Sequence, residues 1–129
     1  MKVIKVSTDN EITVEDSRSF MNLHSLIGEK CDYVEPVYPK RLYDTWNMND
    51  LVMLVDEMGL YHDLDINLIG SWLYETDIHG HPIVGNILFI ARDDLGTDFT
   101  GLSGRQITEL RYLLEKYLNC VRREEGHGN

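Results

Sequence analysis

Polar and apolar positions along the chain alternate and recur with periods that predict a series of strands and helices. Lys2 to Val6 alternates polar with β-branched residues, Asp9-Asn10 supplies turn chemistry, and Glu11 to Val14 alternates again, which predicts a β-hairpin. Ser17 stands where it could cap a helix in which Phe20, Leu23 and Ile27 recur at helical spacing, with Leu26 beside them and Gly28 as the stop. Tyr33 to Tyr38 predicts a short strand that Pro36 restricts to an edge or a bulge. Pro39 to Asp50 has no clear period and predicts a loop or a short helical turn.

Leu51 to Val55 is an unbroken apolar run between Asp50 and Asp56, the pattern of a strand buried on both faces, and Glu57-Met58-Gly59 follows as a turn. Leu64, Leu68, Trp72 and Leu73 predict a helix over 64–75, opened by the acidic residues Asp63 and Asp65. Ile83 to Ala91 predicts a second apolar strand, the partner of the one before Asp56, and ends in the acidic turn Arg92 to Gly96. Ser103-Gly104-Arg105-Gln106 is a capping-box pattern. Behind it Ile107, Leu110, Leu114, Tyr117, Leu118 and Val121 line one face of a long helix, with Glu124 to Asn129 as a tail. The expected fold is therefore α+β: one domain over residues 1–123, with a mainly antiparallel sheet covered on one face by helices and ending in a long amphipathic helix.

Composition adds a charge argument. Twenty-two acidic residues against 12 basic ones give a net charge of −10, which disfavours direct nucleic-acid binding and suits a partner with a basic surface. No apolar run is long enough to cross a membrane, and the N-terminal run is too short for a secretory signal, so a cytoplasmic location is expected. Cys31 and Cys120 are far apart, without CxxC spacing, and are expected to be reduced thiols, Cys31 near a helix end and Cys120 on an apolar face.

Candidate chemistry is sparse. Asp77, His79 and His81 alternate in a way that could offer a carboxylate and two imidazoles to a metal, although metal sites draw ligands from a second element and loop residues explain the pattern too. His62-Asp63 matches the adjacent ligand step of metal-dependent phosphohydrolases but lacks the further histidines those enzymes need. The 93–98 turn lacks the ligand spacing of a calcium loop, and Asp56-Glu57 reads as a solvated turn pair. Phosphate-binding loops, nucleophile elbows and dinucleotide fingerprints are all missing from the sequence, so no cofactor and no enzymatic activity are expected. Aromatic residues near the middle of the chain, Trp46 and Tyr61 with Arg41 and Asn67 near them in sequence, form the candidate ligand-binding set. For Asn67, capping or turn formation is the competing role.

The segments LVMLVDEMGL, DINLIGSWLY, DIHGHPIVGNILFIARDD and GTDFTGLS resemble, in this order, the family of domains of unknown function numbered 3846, found largely in phages and other mobile elements. The resemblance covers roughly the first 105 residues, and Asp56, Gly59, Asn67, Gly85, Asp98 and Leu102 fall on its pattern. The Trp46 loop, the His79-Gly80-His81 step and the long final helix read as departures from it. What the resemblance implies is an accessory protein made in the cytoplasm of a bacterial host. Three functions are then weighed. One is an inhibitor occupying a basic host or defence protein, the second a sponge for a nucleotide-like immune signal, and the third a metal-dependent hydrolase using Asp77, His79 and His81. The final helix could also pair with its copy in a homodimer, packing on its own sheet being the simpler arrangement.

Overall fold

The computed structural model describes residues 1–78 and 80–126, with the backbone alone for Val121 and residues 123–126. The hairpin forms as the alternation predicts: β1 (Lys2–Val6) pairs antiparallel with β2 (Ile12–Asp16), and Asn10 takes a left-handed conformation in the turn between them. β3 (Val34–Val37) is the edge strand that Pro36 requires. β4 (Leu51–Asp56) and β5 (Ile87–Arg92) are central strands, and β6 (Phe99–Thr100) is a short addition to β5. The sheet runs β2-β1-β5-β4-β3 and every pairing is antiparallel.

Period-two alternation divides β4 between the faces. Leu51, Met53 and Val55 join Ile4, Val6, Ile87 and Phe89 on the face covered by α2 (Lys40–Trp46), α3 (Leu68–Tyr74) and α4 (Gly104–Gly126). Val52 and Leu54 join Val3, Leu88 and Ile90 on the opposite face, under α1 (Leu23–Ile27). Helices therefore cover both faces, with one short helix on the second. Burial on both faces is what the continuous apolar runs of β4 and β5 provide for.

Several boundaries differ from expectation for identifiable reasons. Ser17 caps no helix: its hydroxyl donates to the Ser19 carbonyl at 2.8 Å, and α1 is entered through a 3-10 turn at Phe20–Asn22. The segment after Pro39 is a helix, α2, closed by Asn47 in the left-handed region, since Leu42 finds a fully buried place in the core. α3 begins only after Asn67, because Ile66 bridges Val84 and residues 64–66 are not helical. β5 starts at Ile87 because Gly85, with φ +79°, breaks the predicted strand.

The capping box forms reciprocally, Gln106 N–H to Ser103 Oγ at 3.1 Å and Ser103 N–H to Gln106 Oε1 at 2.8 Å. Leu110, Leu113, Leu114 and Leu118 of α4 are buried against the chain's own sheet and α3, so its apolar face is spent internally. α4 continues into the expected tail as far as Gly126, and residues 127–129 lie outside the described residues. Cys31 is buried and Cys120 exposed, the reverse of an apolar-face position for Cys120; both are free. Among the described residues no helix is long and apolar enough to cross a membrane.

Candidate functional site

β4 ends on a polar residue, and the pleat carries Asp56 to the α1 face, where it is only 5% exposed rather than solvated. Burying this carboxyl group requires partners, and the following turn supplies them. Met58 N–H donates to Oδ1 at 2.9 Å, and Nδ1 of His62 lies 2.7 Å from Oδ2. His62 N–H closes the turn onto the Met58 carbonyl at 2.9 Å. The 57–62 loop is thus wound around Asp56, and it presents Met58, Leu60 and Tyr61 outward at 47%, 65% and 81% exposure.

Beside this loop lies a cleft of about 450 Å³. Its floor is Val37 and Val55, which the register places on one face of β3 and β4, together with Ile83. One wall is the 57–61 loop and the other is Gly80 to Val84, returning from α3, with Tyr74 at the end of that helix. The walls meet through glycines: a Cβ on Gly59 would lie 2.8 Å from Val84 Cγ2, and one on Gly80, at φ +78°, would lie 3.0 Å from the Tyr74 ring. Glu35 and Glu57 are the exposed acidic residues of the lining, Asp56 bordering it with its carboxyl group turned to the α1 face, and among the described residues the lining has no lysine or arginine.

A second cleft, of about 330 Å³, opens on the α1 side between Gly28 to Cys31 and Leu64, Asp65, Gly85 and Asn86, with Asp56 again in its lining. Burial pushes the Cys31 thiol up to about 11, and the nearby Asp56 adds to the shift, so the thiol is protonated and a poor nucleophile at neutral pH. Its Sγ donates weakly to the Tyr33 carbonyl at 3.5 Å. Asn86 clamps this region by accepting from Thr8 N–H at 3.1 Å and donating to the Ile27 carbonyl at 2.9 Å.

The candidate ligand set does not assemble. Asn67 is fully buried; its amide donates to the Val6 and Gly85 carbonyls at 3.0 and 2.9 Å, and its oxygen caps α3 by accepting from Gly70 N–H at 2.9 Å. It is a clamp between β1, α3 and the approach to β5, with no donor left for a ligand. Arg41 is committed as well: Nη2 donates to both carboxylate oxygens of Asp77 at 2.9 and 3.0 Å, Nη1 donates to the Trp72 carbonyl at 3.1 Å, and the guanidinium lies 4.0 Å from the Trp72 ring centre. Trp46 is docked on α4, donating from Nε1 to the Tyr117 hydroxyl at 2.8 Å. Only Tyr61 of the four lines the 450 Å³ cleft.

Of the metal candidates, Asp77 is held by Arg41, His79 lies outside the described residues, and His81 lines the cleft. Among the described residues no group of three or more His, Cys, Asp or Glu side chains is placed to hold a metal ion. His62 and Asp63 belong to no such group among the described residues, and Nδ1 of His62 lies against Asp56.

The family model of the domain of unknown function DUF3846 matches residues 1–117. The chain belongs to this family. No curated protein and no solved structure matches it. The match extends past the first 105 residues into α4, so the Trp46 and 79–81 segments and the long helix as far as Tyr117, read from the sequence as departures, fall inside the matched DUF3846 region.

In this DUF3846 domain the sequence reading missed Glu35 as a lining residue, and the partner of Asp56. The signal for Asp56 was present: a carboxylate ending a fully apolar strand, followed six residues later by a histidine. Glu35 gave none, because its place in the cleft depends on the β3–β4 register.

Proposed function

We propose that this protein is a non-enzymatic binding protein that docks a basic surface of another protein against its acidic cleft. We propose further that it acts as a stoichiometric inhibitor of host or defence machinery, made in the host cytoplasm on behalf of a phage or mobile element. One observation carries the reading: the cleft at the β3 edge gathers Glu35 and Glu57, with no lysine or arginine among its described lining residues, beside the exposed apolar side chains of Met58, Leu60 and Tyr61. An apolar patch with an acidic rim suits an apolar and basic partner, attraction steering the encounter and burial holding it. The net charge of −10 acts in the same direction at longer range.

A sponge for a nucleotide-like signal has less support. Arg41 is paired within the chain, Asn67 is buried and saturated, and the carboxyl groups of the cleft would repel phosphate. The hydrolase reading lacks a ligand cluster among the described residues.

The test is capture of partners from bacterial lysate on the immobilised full chain, eluted with a salt gradient. A basic protein released stoichiometrically as salt rises supports the reading; recovery of nothing, or of proteins whose retention ignores salt, overturns it.

A further inference from the structure

The binding reading leaves open which chemical group of a basic partner the cleft selects, and the lining answers that. We infer that the cleft between β3 and the 57–61 loop receives an arginine side chain of the partner protein, its guanidinium held by Glu35 and Glu57 against the ring of Tyr61. The inference rests on the proposed binding function and deepens it.

Three observations converge. The cavity of about 450 Å³ falls within the range of about 300–1,000 Å³ usual for ligand pockets, large enough for a whole side chain and the residue flanking it. Its chemistry is divided as a guanidinium requires. The apolar floor of Val37, Val55 and Ile83 suits the methylene stem, while carboxylates enter from two elements, β3 and the loop after β4. Tyr61, 81% exposed, brings an aromatic ring to one wall of the cleft.

The third observation is an internal counterpart. Arg41 lies 4.0 Å from the Trp72 ring centre and donates from Nη2 to both oxygens of Asp77, so an aromatic face and a carboxylate already hold a guanidinium elsewhere in this chain. The cleft has the same two components, and no lysine or arginine is among its described lining residues. Lysine fits less well, because a strongly hydrated ammonium neither forks to carboxylates nor stacks flat on a ring.

The experiment is fluorescence anisotropy with the full chain and a labelled peptide of three Leu-Arg repeats, beside peptides carrying lysine or the neutral isostere citrulline. The arginine peptide binds, the lysine peptide binds about threefold or more weakly, and the citrulline peptide about tenfold or more weakly. The double variant Glu35→Gln/Glu57→Gln loses about tenfold in affinity. An equal charge change at the opposite sheet edge, Glu11→Gln/Glu15→Gln, loses less than about twofold, as expected of distant screened charges.

No binding of the arginine peptide, equal binding of lysine or citrulline, or equal losses in the two double variants overturns the inference. Failure here is separable from failure of the proposed function. Equal binding of the arginine and lysine peptides, together with salt-dependent capture of a basic partner that weakens in Glu35→Gln/Glu57→Gln, removes the arginine seat and leaves the binding reading standing. Absence of any captured partner removes the reading itself.

Discussion

Asp56 Oδ2 lies 2.7 Å from Nδ1 of His62, joining the last residue of the central strand to the far end of the loop that walls the cleft. A carboxylate only accepts, so Nδ1 carries the hydrogen, and the pair fixes both the imidazole tautomer and the loop. Asp56→Ala leaves Met58 N–H and the imidazole without their buried acceptor, and is expected to cost about 2–4 kcal/mol. Asp56→Asn costs less, about 1–2 kcal/mol, because the amide oxygen still accepts from Met58 and His62 can change tautomer to accept from the amide. Urea denaturation of both variants checks the order.

Asn67 supports the same region from beneath, and its three hydrogen bonds need an acceptor and two donors on one side chain. Asn67→Asp keeps the cap on Gly70 but cannot donate to the Val6 and Gly85 carbonyls. It is therefore expected to destabilise the chain by about 2–4 kcal/mol, as much as Asn67→Ala. A near-neutral Asn67→Asp in a denaturant titration would contradict the clamp.

Gly80 has φ +78°, and a Cβ there would press on the Tyr74 ring. Gly80→Ala is expected to cost about 1–3 kcal/mol through backbone strain. It should also weaken the binding of the arginine peptide, because the displaced ring lines the cleft. Gly96, at φ +69° with open space around it, is the control: Gly96→Ala shares the backbone strain and leaves peptide affinity unchanged.

The cysteines are expected to differ in reactivity and to report on alkaline stability. At pH 8 an aromatic disulfide reagent should titrate the exposed Cys120 at once and Cys31 only on unfolding. The folded pKa of Cys31 is raised from 9.0 to about 11, so the folded state holds its proton more tightly than the unfolded chain. Its contribution to stability is complete below about pH 9 and is lost as pH rises through about 11. Burial likewise pushes Tyr43 from 10.0 to about 12, extending the loss upward. Thermal melts should be insensitive to these two groups at neutral pH and fall steeply between pH 9 and 12.

Legibility followed the range of the interactions. The hairpin, β4 and the capping box of α4 were readable because alternation, a continuous apolar run and a four-residue motif are local signals. α2 was not, since its helical state depends on the burial of Leu42 in a distant core. Asn67 carried a local hint of capping, and its two long-range bonds to Val6 and Gly85 decide its role. Arg41 could not be placed from sequence, because Asp77, 36 residues away, takes its charge. Tyr61 reaches the cleft without Trp46, Arg41 or Asn67, so proximity in sequence was a poor guide to proximity in space there.

The central claim is that the surface around Glu35, the 57–61 loop and Gly80 to Val84 is where this protein grips a basic partner. Backbone amide chemical-shift mapping, with the Leu-Arg peptide added stepwise to isotope-labelled full chain, tests it most directly. Saturable shifts confined to those segments and to Tyr74 are the predicted result. Shifts centred on the Trp46–Tyr112 side of α4, or no saturable shifts at all, would contradict it.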